Sequence, residues 1–402
     1  MTVLAPPPQT PIRTITLLAV SSFATQAMVR VTDSLLPQIA ADFSVTVGAA
    51  AIVVTAYAVM HGTTQLVIGP IGDKFGKYRT VTFAVAAASV LVFLCGMAGS
   101  LDMLALARLA SGAFAGWIIP LGMAYVGDVT PYEKRQQVLG TYLSGQIMGQ
   151  LFGQAMGGVL GDLIGWRGVF FLLAGIFAVS AVALLYELRT NPVTRWGQNA
   201  DRGGRSFMAD YSVVLQDPWA RLICIFAFLE SMAMWGPFAF VGADLHLRFG
   251  LSYTMVGLIV GMFAVGGLIY STSVRVFVGR LGQTGLAIAG GATLAAAYVV
   301  LAVQPVWWAS PVAVCGVGLG FYMLHNTLQT NATQMTPHAR GTAVAIFSSA
   351  LYLGQTAGVA GASLVVDRWG AAPIFVTAAV ALLGMGFWFA HLLRQHRAAH
   401  GA

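Results

Sequence analysis

Arg30, Asp33, Arg108 and Glu230 stand inside long apolar stretches, where a charge is expensive unless it is paired, hydrated or neutralised. Arg30 and Asp33 lie three apart in the run 14–36, on one face of a helix. Arg108 falls at a similar depth in the run 103–125 and would face Asp33 across a bundle. Glu230 stands mid-way along 219–241 with no cation within a turn of its own helix. It reads either as a ligand for protons or a cationic substrate, or as a neutral, hydrogen-bonded acid that serves packing. Asp33 and Arg30 have the alternative of a permanent structural pair. Polar faces extend this set: Tyr57, His61 and Gln65 recur at four-residue spacing. His325 with Asn326 in the run 307–330, and Trp117, Trp235 and Tyr322, are candidate cavity walls, with ordinary packing as the competing reading. Gln146, Gln150 and Gln154 form a further stripe that would hydrate or bind a polar substrate.

The elements that must position these groups follow from composition. The chain has 402 residues, 57% hydrophobic and only 9% charged, against roughly 25% charged for a soluble domain. It reads as an all-α integral membrane protein with twelve spans, at 14–36, 49–70, 80–98, 103–125, 137–160, 167–188, 219–241, 253–275, 284–303, 307–330, 341–365 and 371–393. These are helices 1 to 12. The first run is too long for a signal-peptide core and lacks a clear cleavage site. Residues 1–13 and 394–402 are expected tails, 189–217 the linker, and 14–188 and 218–393 two six-helix halves.

Net charge +7 would suggest nucleic acid if the cations formed a patch, but they are distributed by side. All Lys and Arg except Arg30, Arg108, Arg167, Arg248 and Arg368 fall beside one set of alternate loops. That asymmetry puts both termini in the cytoplasm. Cys95, Cys224 and Cys315 lie in apolar spans without ligand partners at useful spacing, so neither a disulfide nor a metal cluster is expected. No His-Glu-x-x-His, Gly-x-Ser-x-Gly or Walker loop is present, which argues against an enzyme. The excess of Arg over Lys, with many alanines, is compatible with a GC-rich bacterial source and hence an inner membrane.

An internal repeat supports two halves. Thr130-Pro131 recurs as Thr336-Pro337, and Lys74-Phe75-Gly76 as Arg280-Leu281-Gly282, both 206 positions on. Gly149-Gln150, Gly153, Asp162, Gly165 and Phe170 match Gly354-Gln355, Gly358, Asp367, Gly370 and Phe375 at an offset of 205. The turn between helices 2 and 3 carries Gly69, Asp73, Lys74, Gly76, Lys77 and Arg79, in a Gly-x-x-x-Asp-Lys-x-Gly-Lys-x-Arg run. The second half has Gly279 where the first has Asp73.

That run resembles the signature between helices 2 and 3 of the major facilitator superfamily of secondary transporters. The resemblance implies a major facilitator fold of two pseudo-symmetric bundles with a site between them. It also implies a cytoplasmic latch, with Asp73 meeting the helix N-terminus that opens near Gly341 and the neighbouring cations helping to hold the halves. Leu106-Ala107-Arg108-Leu109-Ala110-Ser111-Gly112 looks like the helix 4 motif tied to proton coupling in the 12-helix drug:proton antiporter branch, and Asp33 resembles the helix 1 acid of that branch. Asp33 is then the proton carrier, with Arg108 and Arg30 as counter-charges. Gly145, Gly149, Gly153, Gly157 and Gly158 resemble the antiporter motif of helix 5, except that Gln154 stands where that motif usually has proline. The expectation is a proton-driven exporter of a small organic molecule or drug, with no cofactor and a complete path in one chain. The alternative is a symporter or uniporter for an organic anion or nutrient, with Arg30 or Arg108 binding a carboxylate.

Overall fold

The computed structural model describes residues 11–195, 207–336 and 340–400, and those residues are helical almost throughout. Helix 1 runs Ile12–Arg30 and continues through Thr32–Asp42, and helix 2 spans Val47–Gln65 with a further turn at Ile68–Phe75. Helix 3 is Lys77–Gly96 and helix 4 is Leu101–Val129. Two apolar helical stretches, Gln137–Thr190 and Tyr253–Val303, are 54 and 51 residues long. At about 1.5 Å per residue each is more than twice the ~30 Å of a bilayer core. Each is broken at one glycine in a conformation that L side chains avoid, Gly165 at φ +70° and Gly282 at φ +61°. The ten long apolar helices thereby become twelve membrane segments: helices 5 and 6 meet at Gly165, and helices 8 and 9 at Gly282. Helix 7 is Pro218–Phe238 extended by Val241–Phe249, and helices 10, 11 and 12 are Ser310–Ala332, Arg340–Trp369 and Ala372–His400.

Local chemistry explains the starts. Asp217 caps helix 7 by accepting from the Trp219 and Ala220 amides, with Pro218 in its first turn. Ser100, Thr46 and Ser252 cap helices 4, 2 and 8 in the same way. Boundaries differ from expectation chiefly by extension. The terminal segment 394–402, expected as a tail, continues helix 12 to His400. The linker contains a ten-residue helix, Phe207–Gln216, whose Tyr211 hydroxyl donates to the Leu66 carbonyl of helix 2. Residues 1–10 of the first tail and 196–206 of the linker lie outside the described residues.

Within the first bundle helix 1 packs on helix 5, helix 2 on helix 4, and helix 3 on helices 4 and 6. In the second, helix 7 packs on helices 11 and 12, and helix 10 on the helix 8–9 pair. Glycines set the distances. Gly145, Gly149 and Gly153 of helix 5 seat on the Ala19, Phe23 and Ala27 carbonyls of helix 1, where any Cβ would overlap backbone. Gly157 meets Val31 and Ser34 in the same row, whereas Gly158 turns to Tyr253 and Gly257 of helix 8 in the other bundle. The second half repeats the row: Gly354 and Gly358 of helix 11 seat on the Phe228 and Met232 carbonyls of helix 7.

At Gln154 helix 5 departs from the α form. A π turn occupies Phe152–Met156, so the register shift that a proline would impose is supplied by an extra residue in one turn.

Replacing Gly149 or Gly354 with Leu is expected to destabilise the protein by about 1–3 kcal/mol, through forced separation of the helix pair. Gly175→Leu, on an open lipid-facing position of helix 6, should leave it unchanged. Thermal unfolding in detergent, followed by circular dichroism, reads the difference.

Candidate functional site

Helix 1 delivers Arg30 and Asp33 to the plane where the bundles meet, both almost fully buried. Arg30 Nη1 lies 4.0 Å from Asp33 Oδ2, a long pair. The guanidinium instead stacks on Trp235 of helix 7, its central carbon 3.2 Å from the ring centroid. This is a cation–π contact across the bundle interface. Trp235 is wedged among Phe238, Phe263 and Phe321 at centroid separations of 5.5, 5.1 and 5.3 Å. Among the described residues, Arg30 Nε and Nη1 and Asp33 Oδ2 have no hydrogen-bond partner.

Arg108 does not pair with Asp33 in this arrangement. Its Nε donates to the Val53 carbonyl and its Nη1 to the Met28 carbonyl, both at 3.0 Å, and its guanidinium lies 4.1 Å over Tyr57. It joins helices 1, 2 and 4 through their backbones, while Nη2 has no hydrogen-bond partner among the described residues. A cation held by carbonyl dipoles and a ring face in this way needs no carboxylate within reach.

Glu230 of helix 7 is fully buried and has a partner on helix 10: His325 Nδ1 lies 2.8 Å from its Oε2. The imidazole is stacked on Phe321 at 4.7 Å and 11° and packs against Phe347. Glu230 Oε1 has no hydrogen-bond partner among the described residues. Each residue was expected singly as a ligand, and the pairing was missed. The available signal was that both are ionisable residues in otherwise apolar spans of the same half.

The expected face of helix 2 forms, with His61 stacked near Tyr57 at 5.4 Å and Gln65 buried below it. Its neighbour across the interface is Tyr352 of helix 11, 4.3 Å from His61 ring to ring, a residue that sequence reasoning did not single out. Gln150 and Gln154 are buried and Gln146 is half-buried, each with at least one unpartnered amide atom. Gln355, the repeat mate of Gln150, shares that condition. Tyr322 packs against Phe321 and over Gly267. Asn326 is half-buried, and Trp117 packs with Phe114 inside the first bundle.

The turn carrying the latch residues is ordered around Gly76, at φ +89°, with Gly72 seated on Leu121 and Gly69 half-buried. Lys77 is held within its own bundle by Asp73 at 3.4 Å and by Asp128 at the end of helix 4. Lys74 and Arg79 are exposed, with no ion pair to the second bundle among the described residues. Lys77 thereby ties helices 2, 3 and 4 within the first bundle, Asp128 lying within its reach. The helix end proposed for Asp73, at Gly341, opens directly after residues 337–339, which lie outside the described residues.

Comparison with known proteins places this geometry. The model of the Major Facilitator Superfamily matches residues 18–359. The uncharacterized MFS-type transporter YceJ of Bacillus subtilis is 25% identical over 331 residues, 81% of this chain and 82% of its own. Multidrug resistance protein fnx1 of Schizosaccharomyces pombe is 29% identical over 182 residues, 44% of this chain and 33% of its own. The chain spans between half and four-fifths of the lengths of the first relatives it matches. Among solved structures, the nucleoside transporter NupG superposes with a TM-score of 0.77 at 12% identity, covering 94% of this chain and 98% of that one. With that match over most of its length, a twelve-segment helical fold and a buried polar cluster between two bundles, the chain belongs to the Major Facilitator Superfamily.

Proposed function

We propose that the protein exchanges protons for a small organic molecule, exporting it by alternating access across a bacterial inner membrane with both termini in the cytoplasm. One observation carries the reading. Two buried acids, one in each bundle, each have a basic neighbour and an oxygen with no hydrogen-bond partner among the described residues: Asp33 beside Arg30, and Glu230 beside His325. Buried polar atoms rarely lack partners, and here they collect where a substrate would sit between the halves. Protons entering from outside would neutralise these acids, and substrate arriving from inside would displace them. The proton gradient supplies the energy with no cofactor, and one chain holds the whole path. The Gly69–Arg79 turn, with Asp73 toward Gly341, acts as the inner latch. The name of the fnx1 relative supports efflux and a drug-like substrate.

A second reading is favoured by Arg30 Nε and Nη1 and Arg108 Nη2, donors that make no hydrogen bond among the described residues. Guanidinium donors of this kind bind a carboxylate in bidentate fashion, which suits uptake of an organic anion by symport or uniport.

Substrate-driven proton flux in proteoliposomes, with a panel of cationic, neutral and anionic compounds, separates the two. Proton movement opposite to substrate, abolished in Asp33→Asn and in Glu230→Gln, is expected. Movement in the same direction as an anion would establish the second reading, and equilibration of compounds without proton flux would remove coupling altogether. His325→Ala is expected to cost about 1–3 kcal/mol of stability, because it leaves Glu230 Oε2 buried without its donor. In Glu230→Gln/His325→Ala the loss should be smaller than the sum of the two single losses, read from thermal unfolding of the double-mutant cycle.

A further inference from the structure

The repeat pairs Asp162 with Asp367, and nothing in the binding cluster uses either. Asp162 ends helix 5 just before the Gly165 turn, and Asp367 ends helix 11 just before the matching turn at Gly370, φ +72°. Both acids reach across to the opposite bundle. Asp367 Oδ1 accepts from the Gly48 amide at 2.9 Å and its Oδ2 from the Thr46 hydroxyl at 2.6 Å, at the start of helix 2. Asp162 Oδ2 accepts from the Thr254 amide at the start of helix 8.

The two contacts are the same contact made twice. Thr46 and Ser252 are the N-caps of helices 2 and 8, 206 positions apart, and each side chain accepts from the amide three residues on. Gly48 and Thr254 are the second residues of those helices, again 206 apart. The first turn of a helix has amides that its own backbone cannot satisfy. The cap residue takes one, and the acid from the other half takes the next. A carboxylate there also meets the positive end of the helix dipole. Space enforces the fit at Gly48, where a Cβ would overlap the Asp367 carboxylate and the Ser363 carbonyl.

We infer that Asp162 and Asp367 form a reciprocal clasp that holds the two bundles together on the face opposite the termini, and that both contacts must break for the central cluster to open to that face. Helix 5 of the first half clasps helix 8 of the second, and helix 11 of the second clasps helix 2 of the first. A rocking motion of one bundle on the other separates both pairs together. The acids are positioning residues: they touch no substrate and bias the equilibrium between conformations. This inference rests on the transporter fold and not on proton coupling.

The test measures distance rather than transport, so its result is independent of the coupled ion. Spin labels are placed at Gly99→Cys, in the loop after helix 3, and Trp308→Cys, in the loop after helix 9, with Cys95, Cys224 and Cys315 replaced by Ala. Both loops lie on the clasped face, one in each bundle. In the full chain reconstituted in nanodiscs, Asp162→Asn and Asp367→Asn should each shift the distribution toward longer separations. Together they should raise the ratio of open to closed states about five- to ten-fold. Thr46→Val, which removes the hydroxyl that donates to Asp367 and caps the Ala49 amide but leaves the Gly48 amide on Asp367, should give a smaller shift in the same direction. Asp42→Asn, an acid on the same face that pairs with Arg167 inside the first bundle, should give none. An unchanged distribution in the double Asp variant overturns the clasp. If that variant does not fold, an unchanged distribution in Thr46→Val overturns it instead. A shift of equal size in Asp42→Asn also overturns it, because the effect would then be one of surface charge.

Discussion

A helix that crosses a bilayer satisfies its own backbone, and lipid offers nothing to a polar side chain. Every buried ionisable group in this chain must therefore find its partner inside the protein, and this constraint orders the structure. Arg108 finds two carbonyls and a ring face, and in doing so ties helices 1, 2 and 4. Glu230 finds His325 and ties helix 7 to helix 10. Arg30 finds Trp235, and since that ring belongs to the other half, the contact crosses the plane where the bundles meet.

Contacts within a bundle and contacts between bundles differ in kind. Inside each, rows of glycine bring helix 5 onto helix 1 and helix 11 onto helix 7 until backbone meets backbone. Such packing is bistable at best and does not deform gradually. Between bundles the contacts are a stacked guanidinium, a histidine against a tyrosine, and carboxylates on helix ends. Each is worth at most a few kcal/mol, a scale suited to an interface that opens and closes in turn. Rigid halves with a weak polar seam are what alternating access requires of a fold.

Much of this architecture was legible in the sequence, and for definite reasons. A span of about 20 apolar residues has one reading in a membrane protein. The repeated glycines Gly76 and Gly282, and Gly165 and Gly370, mark turns because each holds a positive φ. Pairing across helices was not legible, since it depends on which faces meet. Lys77 meets Asp128, 51 residues on in its own bundle, a partner that the local pattern of the turn does not mark. Gln154 departed from proline, yet the irregularity proline would cause is present as a π turn. No single-residue rule anticipates that insertion.

The sequence by itself determined the all-helical membrane class, the two-fold repeat and the placing of Arg30, Asp33, Arg108 and Glu230 inside apolar spans, all of which follow from hydrophobicity and local backbone preference. Tertiary structure alone decided who partners whom: Glu230 with His325, Arg30 with Trp235, and the repeated acids Asp162 and Asp367 with the helix starts of the opposite half. The physical reason is range. Burial and turn formation act within a few residues of the chain, whereas an ion pair, a ring contact or a capped helix end exists only after helices distant in sequence have been set side by side.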